Sequence, residues 1–115
     1  MGLFSKLRKS RKGGAANPRA DVAQATIAHL EHFVATRRGV EAFIELPTTM
    51  TKATLLLIAY DGEWTRRSVE SVDWARGFAA AHGIPSYDAG VVGYPQRMRD
   101  YNAAHKTERK DFRLG

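Results

Sequence analysis

Residues 54–60, TLLLIAY, place the strongest constraint on the fold. Apolar side chains occupy successive positions, so a strand built from them presents hydrophobic groups to both faces of a sheet and has to be covered on both sides. The apolar run is far shorter than the roughly 20 residues that a membrane span needs. The sequence therefore predicts a central strand inside the core of a small domain.

A tight hairpin is predicted directly after this run, at Asp61 and Gly62. A two-residue type I′ turn needs positive φ at both central positions, and Asp-Gly sequences tolerate it. Residues 63–68 then return as a third strand. The turn sets a register in which Trp64 shares a face with Leu57.

Strict alternation marks residues 40–46 as a half-buried strand. One face holds Val40, Ala42, Ile44 and Leu46, and the other holds Glu41, Phe43 and Glu45. The apolar face is expected to point to the core and the acidic face to water.

Helical periodicity and end signals predict the remaining elements. The expected order is a helix over 18–38, strands over 40–46, 54–60 and 63–68, a helix over 72–82 capped by Ser71, a strand over 84–88 and a helix over 95–104. The predicted fold class is α+β, with the order α-β-β-β-α-β-α. Its sheet is small and mostly antiparallel, a three-strand meander that a fourth strand could join, and it carries two main helices and a short C-terminal helix.

The net charge of +6 has an uneven origin. Residues 1–17 hold five basic groups and no acid, residues 18–93 hold seven basic and nine acidic groups, and residues 94–115 hold six basic and three acidic groups. The chain thus divides into a basic flexible tail (1–16), a single α+β domain (17–104) and a polar C-terminal tail (105–115). A nucleic-acid-binding domain would more commonly carry its positive charge on the fold itself.

Several classes of site lack support in the sequence. The chain has no cysteine, which excludes disulfides and thiolate chemistry and fits a cytoplasmic protein. His29 and His32 are predicted to face solvent without a third ligand, so no metal site is expected. The pair Gly90 and Gly93 lacks the third glycine of a dinucleotide-binding loop, and no cofactor is predicted.

Two stretches rich in arginine and aromatic residues, WTRR and YPQRMRDY, are the candidate binding surface. Such side chains dominate binding hot spots. The candidate residues are Trp64, Arg66, Arg67, Tyr94, Arg97, Arg99 and Tyr101. The alternative is structural: Trp64 and the tyrosines pack in the core, and the arginines of the third strand pair with Glu41 and Glu45.

The phrases YDGEWTRR (60–67), GIPSYD (83–88) and VGYPQRMRDYN (92–102) resemble a set of short, functionally uncharacterised proteins from actinobacteria. The resemblance covers about residues 40–102, and it implies a compact family fold without an established chemistry. The first five predicted elements also share the order of a double-stranded RNA-binding domain. The second helix of that family begins with lysines, whereas this chain has Glu70 and Asp73 there.

Three functions follow as hypotheses. The first is a non-enzymatic binding or adaptor module for a protein or RNA partner. The second is a small cofactor-borrowing enzyme, oxidoreductase-like, with a cleft near Tyr87, Asp88 and Tyr94. The third is a membrane-surface adaptor that makes weak contact with anionic lipid through residues 1–16. A homodimer through the sheet edge at residues 40–46 is a further alternative.

Overall fold

The computed structural model describes residues 18–106, with side chains from residue 23 onward. The helices are α1 (Pro18–Thr36), α2 (Val72–Ala81), α3 (Ala89–Val92) and α4 (Gln96–Ala104), and the strands are β1 (Glu41–Glu45), β2 (Thr54–Ile58), β3 (Trp64–Ser68) and β4 (Ser86–Asp88). The α+β class and the predicted order are confirmed, with the short helix α3 as an addition. The tail predicted over residues 1–16 lies outside the described residues.

The four strands form one mixed sheet in the order β3-β2-β1-β4. Strands β1, β2 and β3 are an antiparallel meander, and β4 pairs with β1 in parallel, so the fourth strand does join the sheet. Strand β1 is therefore interior. The sequence-based alternative of a homodimer through residues 40–46 is wrong, because β2 and β4 already occupy both sides of β1.

Helices cover both faces of the sheet. Leu30 and Phe33 of α1 and Phe78 of α2 pack on the face formed by Leu55 and Leu57. The opposite face carries a second cluster of buried residues, which is Phe43, Leu56, Ile58, Ala89 and Met98. All five residues of β2 are buried, as predicted for a strand covered on both sides.

Strand β1 is covered on both faces, not on one. Phe43, predicted to lie on the solvent face, is only 5% exposed, and its ring centroid lies 5.3 Å from that of Tyr87. Glu41 and Glu45 on the same face are half-buried. The prediction of a half-buried strand was wrong because acidic side chains with partners can line a covered face, and alternation alone does not reveal their partners.

The hairpin between β2 and β3 has three loop residues, Tyr60 to Gly62, and the predicted two-residue type I′ turn is wrong. The Gly62 N–H donates to the Ala59 carbonyl at 3.0 Å, and the Asp61 carboxylate accepts from the Glu63 N–H at 3.0 Å. In the described chain only glycines have positive φ, which rules out a turn that needs it at Asp61.

The extra loop residue shifts the register by one and turns every side chain of β3 to the other face. Ile58 lies opposite Trp64, and Leu56 lies opposite Arg66. Trp64 therefore shares its face with Ile58 and not with Leu57. This places Trp64 and Arg66 on the side of α4.

The ends of the helices agree with the predicted signals at some positions and differ at others. The Ser71 hydroxyl accepts from the Trp74 N–H at 3.0 Å and caps α2, and Gly39 turns the chain after α1 with φ of 60°. Pro95 is the residue before α4, in extended conformation, and not its first helical residue as predicted. His82 follows α2, and its ring packs at a tilt against that of Phe78, with 4.2 Å between the ring centroids.

Gly62 is the point at which the hairpin meets α4. It has φ of 93°, and a Cβ atom there would lie 2.0 Å from the Arg97 carbonyl oxygen and 2.9 Å from the Cβ of Tyr101. Real contacts of that kind do not occur, so the hairpin tip and the helix backbone approach closely only because residue 62 lacks a side chain.

We expect Gly62→Ala to lower the free energy of unfolding by about 2 kcal/mol or more, from left-handed strain and from displacement of α4. Urea unfolding measures it. Gly83→Ala is the matched control, because Gly83 also has positive φ (67°) but open space around it, and it should cost only about 1 kcal/mol. Equal losses in the two variants would show that α4 does not press on the hairpin.

Candidate functional site

Two glutamates of β1 hold a polar network between the sheet and the C-terminal part of the chain. Glu41 and Glu45 are four apart on a strand, so both carboxylates point to the face that α4 covers. Each accepts from one arginine and one tyrosine. The members of this β1 network are Glu41, Glu45, Arg66, Tyr87, Tyr94 and Arg97.

Arg97 joins α4 to both β1 and the hairpin. Its Nη2 donates to Glu41 Oε1 at 2.6 Å, and its Nε donates to the Ala59 carbonyl at 2.8 Å. The hydroxyl of Tyr87 donates to the other oxygen of Glu41 at 3.4 Å. Both members of the ion pair keep less than a third of their side-chain surface exposed. These contacts make Arg97 a part of the packing between α4 and the sheet.

Glu45 is held in the same manner at the other end of β1. Arg66 Nη2 donates to Glu45 Oε1 at 2.9 Å, reaching across β2, and the Tyr94 hydroxyl donates to Glu45 Oε2. Burial raises the pKa of Tyr94 to about 12, with further contributions from the hydrogen bond to Glu45 and from its charge. The neutral phenol is therefore the stable form over the whole physiological range.

Trp64 belongs to the packed face and not to an open binding surface. It packs against the second core cluster, and its indole Nε1 donates to Asn102 Oδ1 at 2.7 Å. The structural alternative of the sequence analysis holds for Trp64 and for the Arg66 pair with Glu45. Arg66 nevertheless keeps 55% of its side-chain surface exposed.

The other three candidate residues lie apart from the β1 network. Arg67 points to the opposite face of β3, toward α1. Arg99 is exposed on α4, and its Nη1 lies 3.4 Å from Gln96 Oε1. Tyr101 stacks on His105, with ring centroids 3.9 Å apart. The seven candidate residues thus do not converge on one surface.

A second grouping is positive and lies where α1 crosses β3. His29 Nε2 lies 2.6 Å from the Thr65 hydroxyl, which fixes the helix beside the strand. Burial lowers the pKa of His29, and the nearby positive charges of Arg67, Arg37 and His32 lower it further. We call the rim of the sheet along β3 the β3 flank; His29, His32, Arg37 and Arg67 line it from the α1 face, and Arg66 lines it from the α4 face.

Charge on the β3 flank is only partly neutralised. Arg37 pairs with Glu63 at 2.6 Å and Arg66 with Glu45. Arg67 is exposed, and its guanidinium donates to the Arg66 carbonyl at 2.7 Å. Among residues 23–106 no carboxylate forms an ion pair with Arg67. The flank therefore presents positive charge at the edge of the sheet.

Sequence reasoning weighed Glu41 and Glu45 as partners of the β3 arginines but missed that Arg97 and two tyrosines complete their coordination. It also missed Asn102. The available signal was the four-residue spacing of the two glutamates along one strand face. Within residues 23–106 no group of three metal-ligating side chains occurs, and no helix among the described residues is long and apolar enough to cross a membrane.

Comparison of the chain with protein-family models, with curated proteins and with solved structures gave no match. The resemblance to short actinobacterial proteins stays a prediction.

We expect Arg97→Ala to lower the free energy of unfolding by about 1–3 kcal/mol, because it leaves half-buried Glu41 without its cation. Arg99→Ala is the matched control, two residues along the same helix and exposed, and it should change stability by less than about 0.5 kcal/mol. Urea unfolding of the two variants decides the matter. A stable Arg97→Ala protein would mean that the ion pair does not hold α4.

Tyr94 makes stability depend on alkaline pH. Because its pKa is raised in the folded protein from 10.0 to about 12, its contribution is fully present below pH 10 and is lost as the pH rises toward 12. Urea unfolding between these pH values should show a steeper loss for the wild type than for Tyr94→Phe. Parallel curves would place the Tyr94 hydroxyl in water.

Proposed function

We propose that this protein is a non-enzymatic binding module that holds an acidic part of another protein against the β3 flank. The carrying observation is Arg67, exposed at the sheet edge and without an ion pair among residues 23–106, beside the half-exposed Arg66. An exposed arginine such as Arg67, which no carboxylate among residues 23–106 neutralises, favours an anionic partner.

Charge balance supports a protein partner over RNA. Residues 18–106 carry ten basic and ten acidic groups, and the excess positive charge of the chain comes from residues outside this range. Nucleic-acid-binding domains commonly concentrate basic residues on the fold, since they neutralise many phosphates at once. A small number of arginines at one sheet edge is enough to bind a short acidic protein segment, whereas an RNA strand would present many phosphates.

Tyr87, Asp88 and Tyr94, where the enzyme hypothesis placed its cleft, form hydrogen bonds within the fold. Tyr87 and Tyr94 donate to Glu41 and Glu45, and the Asp88 carboxylate accepts from the Gly90 N–H at 2.8 Å. The enzyme hypothesis placed its cleft at these tyrosines, so it ranks below the binding hypothesis. The membrane hypothesis depends on residues 1–16, outside the described residues. We place the protein in the cytoplasm, which fits a chain without cysteine.

The test uses labelled poly-glutamate, a labelled single-stranded RNA and flavin mononucleotide as probes of the purified full chain. We expect salt-sensitive binding of poly-glutamate, measured by fluorescence anisotropy, and about tenfold weaker binding to Arg67→Glu. Arg76→Glu, an exposed charge reversal on α2, is the matched control and should lose much less.

Equal losses in Arg67→Glu and Arg76→Glu would show that the attraction follows net charge only, against a specific flank. If the protein bound the RNA more tightly than poly-glutamate, the proposal of an acidic protein partner would be wrong and a nucleic-acid partner would replace it. Saturable binding of the flavin, unaffected by Arg67→Glu, would make the enzyme hypothesis the better one.

A further inference from the structure

Strand β3 lies at one end of the sheet, with β2 on one side of it. Within residues 18–106 no strand pairs with its other side. The hydrogen bonds between β2 and β3 determine which backbone groups of β3 point away from β2. The Ala59 N–H donates to the Glu63 carbonyl at 2.8 Å, and the Val69 N–H donates to the Ala53 carbonyl at 2.9 Å. Residues 63 and 69 thus bond inward to β2.

Hydrogen-bonded positions recur at every second residue of an antiparallel strand. The odd-numbered residues of β3, Thr65 and Arg67, therefore bond to β2. The even-numbered residues, Trp64, Arg66 and Ser68, direct their N–H and C=O groups outward. Residues 66–68 are exposed, so another chain can reach these outward groups, and at the Arg66 carbonyl it would displace the guanidinium of Arg67.

We propose that the acidic segment binds as an added strand along β3, an inference that rests on the proposed function. The outward backbone groups of Trp64, Arg66 and Ser68 form the new ladder. In a strand paired with β3, two successive residues lie opposite Arg66 and Arg67, and their side chains point to opposite faces. An acidic side chain at one position meets Arg67, and one at the other position shares Arg66 with Glu45, which supplies specificity that the backbone alone lacks.

The positive charge beside the free edge of β3 also limits which chain can pair with it. A second copy of this chain paired antiparallel through β3, centred on Arg66 or on Arg67, would place that arginine opposite its own copy, and like charges opposite each other destabilise a sheet. The sequences of the two terminal segments, 1–17 and 107–115, are both net basic and do not complement the edge. An extended acidic segment of another protein remains as the occupant that the edge fits.

Proline at position 68 gives a sharp test because the N–H of Ser68 points outward. Ser68→Pro removes one donor of the free edge and leaves the ladder to β2 intact, and proline is tolerated at such edge positions. Ser68→Ala is the matched control, because it keeps the N–H. The probe is an acetylated and amidated peptide of about eight residues, two central glutamates flanked by alternating threonine and valine.

We expect Ser68→Ala to bind this peptide like the wild type and Ser68→Pro to bind about tenfold more weakly, by fluorescence anisotropy at matched stability. Amide hydrogen exchange gives the second readout. The amides of Trp64, Arg66 and Ser68 should exchange rapidly in the free protein and become protected with peptide. The amides of Thr65 and Arg67 should be protected in both states.

Should Ser68→Pro fail to fold, the exchange data on the wild type decide, together with a backbone N-methylated peptide that should not bind. Strand addition would be overturned if Ser68→Pro bound the peptide as tightly as the wild type and the peptide protected amides other than those of Trp64, Arg66 and Ser68. The proposed function would then still stand. No binding of either the peptide or poly-glutamate would overturn both. Protection of the three outward amides in the free protein would also overturn it, because a second copy or the chain's own termini would then cover the edge.

Discussion

The carboxylates of Glu41 and Glu45 lie between two layers of the structure, and the arrangement of the C-terminal third depends on them. A half-buried charge needs a cation and hydrogen-bond donors. The donors come from β3, from β4, from the segment before α4 and from α4 itself. The apolar contacts of Met98 and Trp64 supply non-directional attraction, so the directional bonds of Arg97 and Tyr94 decide where α4 lies on the sheet.

The polar side chains form two groups that have Arg66 in common. The glutamates and tyrosines of the β1 network contact one another and hold the layers together. The exposed arginines of the β3 flank stand at the rim of the sheet, beside backbone groups that β2 leaves unpaired. Because an edge strand is the one place where a sheet can accept another chain, charge and backbone geometry favour the same surface for a partner.

Most of the local structure could be predicted from the sequence, and the exceptions share one cause. Helix α2 follows from the Ser71 cap and its apolar stripe, and buried β2 follows from its unbroken apolar run. The hairpin length did not follow, because Gly62 rests on the Arg97 carbonyl, a contact 35 residues along the chain. The candidate site was half predicted: the structural alternative paired the β3 arginines with Glu41 and Glu45, and Arg66 does pair with Glu45, but the arginine at Glu41 is Arg97 of α4.

The sequence by itself determined the order of the elements apart from the short helix α3, the strand that is buried on both faces of the sheet and the Ser71 cap of α2. These depend on periodicity and on neighbours within a few positions. Only the tertiary structure decided the register of β3 and the burial of the acidic face of β1. Register depends on one loop residue, and burial of a charge depends on a partner brought from elsewhere, so neither leaves a local pattern in the chain.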